Sequence, residues 1–242
     1  MPPQTKFALF DLDGLLIDTE TIYTEATNEV LAPYGCEMTY EIKAGLMGKS
    51  EMQATAHLFS SLPPISLTPE EFNRRRRALQ EQRWPNTSLL PGVARLVEHL
   101  HSNQIPIAIA TGSSRAAYLL KTAHLQHVFK LFDGRVVCAD DPQMIGRETK
   151  PAPDLFIEAA KLLGVELPNE GARGIAFEDA ILGVLAGTAA GLKVVWVPDE
   201  RLERVVASSS GDGEFVVPEG IHRYATLLAF DPEAFGLPRF AQ

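Results

Sequence analysis

The chain is 242 residues long, 45% hydrophobic and 22% charged, with a formal net charge of −9. That length allows one large domain, or a core with a smaller companion, and the composition is that of a globular protein able to bury a sizeable core. The acidic balance argues against nucleic acid or an anionic membrane surface as main partner, while leaving room for a locally positive pocket that takes an anionic substrate.

The opening MPPQTKFALF has too short an apolar run for a signal peptide, and no segment approaches the roughly 20 apolar residues of a membrane span. A cytoplasmic monomer is expected, without nucleic acid or membrane partners. The two cysteines, Cys36 and Cys138, show no metal-ligand spacing and read as buried free thiols. The six histidines show no metal spacing either.

Phe7 to Phe10 form an apolar run that reads as a buried parallel strand. It ends in Asp11-Leu12-Asp13-Gly14. Ligands of open α/β sheets bind at the carboxyl ends of strands, so these two carboxylates stand at the edge where chemistry is expected. Residues i and i+2 of a strand share a side, so the pair is expected to converge. Two anions that close repel by roughly 4 kcal/mol at an effective dielectric near 20, and a cation, proton or electrophile must compensate.

From Thr19 to Trp84 the pattern is helix after helix, over 21–34, 40–46, 51–61 and 69–84. Gly35 and Gly48 close the first two, Ser50 is placed to cap the third, and Thr68-Pro69-Glu70-Glu71 starts the fourth. Arg74 to Arg77 fan around that fourth helix and read as a solvated face with acidic partners. After Leu90-Pro91-Gly92 the pattern alternates, with helices 93–102, 114–124, 153–163 and 181–190 and strands 105–110, 135–138, 174–177 and 193–197. Alternation of this kind predicts a doubly wound, Rossmann-like parallel α/β sheet with helices on both faces. The expected division is a core of residues 1–18 and 89–242 with a helical insert of residues 19–88. Residues 208–214 read as a loop, and the last thirty residues are expected to add a helix or two.

The polar groups follow the strands. Strand 105–110 runs into Thr111-Gly112-Ser113-Ser114 at a helix start, a pattern that makes an anion site or an ordinary cap. Lys150, held by Pro151 and Pro153, opens the next helix. Strand 174–177 ends in Glu178-Asp179, a second acidic pair. Taken singly each feature has a bland reading. In this order they supply hard oxygens for a divalent metal, a phosphate cradle, a cation and a nucleophile, which is a phosphoryl-transfer site.

With DLDG and Asp18, TGSS, KPAPD and FEDA, the chain resembles the haloacid-dehalogenase-like hydrolases, and the helical insert resembles the family's cap. LLIDTE, LMGKS, LPGVARL, FEDAILGVLAGTAAG, VVWVPD and FDPEAFGLPRF extend the likeness to the pseudouridine-5′-phosphatase subgroup. Plant and fungal phosphatases of glycerol or sugar phosphates are similar in the same segments. Two positions depart from the pattern: Thr149 stands where the family usually has Gly before Lys150, and Gly187 where relatives often carry Ala.

The resemblance implies a Mg²⁺-dependent hydrolase of small phosphorylated metabolites. Asp11 would be the nucleophile. Asp13 would serve as acid and base and lend its backbone carbonyl to the metal. Thr111, Gly112 and Ser113 would bind phosphate, and Lys150 would offset charge. Asp179 would ligate the metal, with Glu178 acting directly or through water. Lys49, between two cap helices, is expected to touch substrate. A mutase of the β-phosphoglucomutase type shares these motifs. A dehalogenase would need neither Asp13 nor the 178–179 pair, a phosphoacceptor domain would be about half as long, and a catalytically dead relative would have lost a motif residue.

Overall fold

The computed structural model describes residues 5–46, 49, 51–199, 201 and 220–241. Gly48, Ser50 and the loop over 208–214 lie outside the described residues. The elements in chain order are β1 (Phe7–Phe10), α1 (Glu20–Leu31), α2 (Tyr40–Leu46), α3 (Glu51–Ser61), α4 (Pro69–Arg83), α5 (Val93–Ser102), β2 (Ile107–Thr111), α6 (Arg115–Thr122), α7 (Gln126–Phe129), β3 (Val136–Cys138), α8 (Asp154–Lys161), β4 (Gly174–Glu178), α9 (Ile181–Ala189), β5 (Lys193–Trp196) and β6 (His222–Arg223).

The strands form one parallel sheet in the order β3-β2-β1-β4-β5-β6. β1 is central, and its side chains alternate between two cores. Ala8 and Phe10 face a cluster with Val97, Leu100, Val128 and Phe132, while Phe7 and Leu9 face one with Leu155, Phe156, Val184 and Val194. A strand covered on both faces must be apolar throughout, which is why FALF carries no polar residue until it leaves the sheet. Phe10 stacks on Phe177 of the adjacent β4, ring centroids 4.6 Å apart and ring planes nearly parallel. That contact locks the register in which Asp11 and Glu178 emerge side by side.

The strand and helix alternation read from the sequence holds, with ends shifted by no more than two residues. The chain's last thirty residues differ from expectation. Among the described residues they form the two-residue β6 and 3₁₀ turns at Leu227–Ala229 and Glu233–Phe235, not α-helices. The aromatic run explains this: Phe230 and Phe235 pack as plugs against the sheet core, and Pro232 and Gly236 interrupt any longer helix. The four-residue α7 and β6 are both shorter than the windows in which periodicity can be read.

α1 to α4 carry a third apolar cluster of Val30, Leu31, Met38, Leu58, Leu67 and Phe72. Thr68 caps α4 by accepting the Glu71 backbone N–H at 3.2 Å, with Pro69 in the first turn. The chain crosses between this cluster and the sheet twice, and the crossings lie side by side. Asp18 N–H donates to the Ser88 carbonyl at 2.9 Å and Leu90 N–H to Leu16 at 3.1 Å. The arginine run is only partly a solvated face. Arg74 and Arg75 pair with Glu71, and Arg77 with Glu51, but Arg76 is mostly buried, pairing with Glu51 at 2.8 Å over the Phe72 ring. No helix among the described residues is long and apolar enough to cross a membrane.

Candidate active site

The carboxyl ends of β1, β2 and β4 gather the groups expected from the sequence. Asp11 follows β1 and is 7% exposed. Glu178 ends β4 and is 1% exposed, and Asp179 follows it. One carboxylate oxygen from each of Asp11, Glu178 and Asp179 lies within 4.8 Å of the other two. Lys150 reaches this cluster from the loop before α8. Its Nζ donates to Asp11 Oδ1 and to the Ala110 carbonyl at 2.9 Å, and pairs with Glu178 Oε1 at 2.6 Å. Thr149 in place of the usual glycine therefore does not keep Lys150 from the site.

The second oxygen of Glu178 accepts the backbone N–H groups of Asp179 and Ala180 at 3.1 and 3.3 Å. This fixes the carboxylate against the start of α9. Two glycines make the room. A Cβ on Gly183 would fall 1.8 Å from Glu178 Oε1, and one on Gly14, whose φ is +83°, would fall 2.4 Å from Asp179 Oδ2.

Three carboxylates face one ammonium, which leaves two negative charges in a buried space. Burial raises the Asp11 carboxyl to about 7, helped by Glu178 and Asp13 and opposed by Lys150. Asp179 is pushed well above the usual carboxylate range by burial, then by Glu178, Asp11 and Glu20. Burial works against the Lys150 charge, but Asp11 and Glu178 overcome it and raise its pKa. Hard oxygen donors with two surplus negative charges fit a divalent cation of the Mg²⁺ type.

Asp13 does not join this cluster through its side chain, contrary to the expected convergence with Asp11. β1 ends at Phe10, so strand alternation no longer governs position 13. Its carboxylate turns to the β2 side, where Lys121 Nζ donates to Oδ1 at 2.6 Å and Ser113 Oγ to Oδ2 at 2.7 Å. Thr111 Oγ1 approaches Oδ2 at 3.4 Å and accepts the Ser113 backbone N–H at 3.0 Å. The Thr111–Ser113 turn thus ends β2 beside Asp13, and Ser114 caps α6 through the Ala117 N–H. Lys121 escaped the sequence reading. The available signal was its position in α6, three residues after the buried Tyr118 and four before Leu125, where an apolar side chain is the norm.

The helical insert adds Glu20 and Lys43, which pair at 2.8 Å, with Lys43 also donating to Thr24 at 2.9 Å. They line a cleft of 590 Å³ that runs from Gly14 and Asp179 past Tyr40 to Asp199 and Arg201. Lys49 is exposed beyond α2, its backbone N–H on the Leu46 carbonyl at 3.2 Å, and none of its described contacts joins it to the carboxylates.

Comparison with known proteins agrees with this geometry. A family model for the haloacid dehalogenase-like hydrolases matches residues 5–191. The chain is 38% identical over 232 residues to a Drosophila melanogaster protein named "Probable pseudouridine-5'-phosphatase", covering 96% of this chain and 94% of that one. It is 38% identical over 234 residues to the (DL)-glycerol-3-phosphatase 2 of Arabidopsis thaliana, covering 96% and 91%. Among solved structures, a haloacid dehalogenase family hydrolase from Deinococcus radiodurans R1 with bound phosphate and sodium superposes with a TM-score of 0.67 at 27% identity, over 85% of this chain and 89% of that one. The acidic triad at the ends of β1 and β4, the lysine within it and these matches lead to one conclusion: the chain belongs to the haloacid dehalogenase-like hydrolase family.

Proposed function

We propose that this phosphatase hydrolyses small phosphomonoesters through a covalent phosphate on Asp11. The observation that carries the reading is the division of labour between two aspartates. Asp11 lies against Lys150 in the acidic cluster, while Asp13, two positions on, is held apart from it with its own lysine and serine. A nucleophile and a proton carrier need such different surroundings.

Asp11, Glu178 and Asp179 would hold Mg²⁺, with the backbone carbonyl of Asp13 as a further ligand. The metal, when bound, offsets charge on the phosphoryl oxygens. Asp11 attacks phosphorus and the ester oxygen leaves with a proton from Asp13. Asp13 then takes a proton from the water that releases phosphate. Lys150 balances the charge of Asp11 and the phosphoryl group, and Thr111, Gly112 and Ser113 cradle its oxygens. The helices of residues 19–88 act as a cap, with Lys49 reaching substrate when the cap closes. A site enclosed in this way favours compact substrates over phosphoproteins and polynucleotides. The names of the relatives favour pseudouridine 5′-phosphate or glycerol 3-phosphate, with a sugar phosphate next.

The test is phosphate release from a panel of nucleotide, nucleoside, polyol and sugar monophosphates with Mg²⁺ and with chelator, followed by product analysis. Free phosphate without an isomerised sugar phosphate is expected. Turnover in excess chelator, or an isomerised phosphate ester as main product, overturns the reading.

A further inference from the structure

Lys121 is 1% exposed. A lysine at that depth must find its counter-charge within the protein, and here it finds Asp13 across 108 positions of sequence. Its Nζ donates to Asp13 Oδ1 at 2.6 Å and to Ser113 Oγ at 2.9 Å, and that hydroxyl donates onward to Asp13 Oδ2 at 2.7 Å. Both oxygens of Asp13 are therefore held by one small network.

The same ammonium lies 4.4 Å from the centre of the Trp84 ring and 5.8 Å from that of Tyr23. Trp84 stands at the second crossing between sheet and helical insert, and Tyr23 on α1. The Lys121 carbonyl accepts the Thr87 hydroxyl at 2.6 Å, which pins the backbone to the same crossing. Aromatic faces hold a cation without neutralising it, so the full charge remains directed at Asp13.

This arrangement decides where the Asp13 oxygens sit. An aspartate has two free torsions, and at position 13 Lys121 and Ser113 hold one carboxylate oxygen each. Without Lys121 the carboxylate loses its counter-charge and one of its two anchors, and it is free to rotate away from the position in which it faces an incoming water. We propose that Lys121, with Ser113, is a positioning residue for the hydrolytic step, holding Asp13 on the Thr111 side of the pocket. This rests on the phosphatase reading above. In that step a water oxygen bonds to the phosphorus on Asp11, and the bond from phosphorus to the Asp11 oxygen breaks with its electron pair returning to the carboxylate. The proton of the water passes to Asp13, and inorganic phosphate is released.

The experiment compares wild type with K121M on p-nitrophenyl phosphate and on the best substrate of the panel, with acid-quench trapping of phosphorylated enzyme. p-Nitrophenolate leaves without a proton, so only the second step needs a placed Asp13. For K121M on p-nitrophenyl phosphate, kcat is expected to fall by about 30-fold or more with KM falling in parallel, so that kcat/KM stays within about threefold, and trapped phosphoenzyme to rise several-fold. A kcat within about twofold of wild type, a loss confined to KM, or a fall in kcat without phosphoenzyme accumulation each overturns the proposal. Should K121M fail to fold, S113A carries the test, because it removes the hydroxyl that bridges lysine and aspartate. It must raise the trapped fraction, and an unchanged fraction overturns the proposal. A wild type that neither releases phosphate nor traps it defeats the phosphatase reading itself.

Discussion

Asp11 and Asp13 are chemically identical and two positions apart, yet each meets a different cation. Asp11 shares Lys150 with Glu178, whereas Asp13 has Lys121 and a serine hydroxyl. Changing Asp11 to Asn keeps its volume and removes the attacking charge, so turnover is expected to fall by about three orders of magnitude or more. The fold is expected to survive, because the change relieves charge crowding rather than opening a cavity. Retention of a tenth of wild-type turnover by Asp11→Asn counts against a covalent route. Asp13→Ala separates leaving groups instead. Formation of the phosphoenzyme is expected to suffer far more for an alkyl ester, whose alkoxide needs a proton, than for p-nitrophenyl phosphate. Rapid-quench measurement of that step for both esters checks this, and equal losses argue that Asp13 is not the leaving-group acid.

At the scale of elements, the helix starts are as constrained as the strand ends. Alanine ordinarily stabilises a helix over glycine by roughly 0.5–1 kcal/mol. In α9 the opposite is expected at Gly183, where a Cβ would meet Glu178 at 1.8 Å while the backbone amides of 179 and 180 hold that carboxylate in place. Gly183→Ala is expected to cost about 1–3 kcal/mol, the scale of an overpacked core, and to weaken Mg²⁺ binding. Denaturant unfolding with and without Mg²⁺ checks both, and unchanged metal affinity would separate Glu178 from the metal site. The elements around this glycine were largely legible. FALF, KVVW and the cap signal Thr68-Pro69 were written in local pattern, and the tight turn at Gly14 in the residue type itself. Gly187 was legible only as a packing position, and its Cβ would indeed meet Val194 and Ala176 at 3.0 and 3.1 Å. The pairing of Asp13 with Lys121 was not legible, because the lysine reaches it through tertiary packing and its place on the apolar side of α6 marks only its burial. Lys49 was singled out from a motif, whereas Glu20 and Lys43 meet only when α1 and α2 pack together.

For the whole molecule, the buried charge surplus ties stability to pH and metal. The Asp11 carboxyl has an ordinary value of 3.8 and is raised by burial to about 7 in the fold, and Asp179 is raised for the same reason. A carboxyl whose pKa is higher folded than unfolded adds stability that is complete below the unfolded value and is lost as pH rises through the folded one. The chelated protein is therefore expected to lose melting temperature between about pH 5 and about pH 8 through these groups. A divalent cation binds the ionised cluster, so its effect has the opposite slope. Mg²⁺ is expected to raise the melting temperature by several degrees near pH 8 and by little near pH 5, because protons compete for the same oxygens. Ca²⁺ is expected to stabilise the fold as well while failing to support turnover, since its looser oxygen shell misaligns in-line attack. Thermal melts across this range in chelator, Mg²⁺ and Ca²⁺ check the linkage. A Mg²⁺ shift that is the same at both ends of the range, or chelated protein that is most stable at the alkaline end, would place the metal somewhere other than Asp11, Glu178 and Asp179.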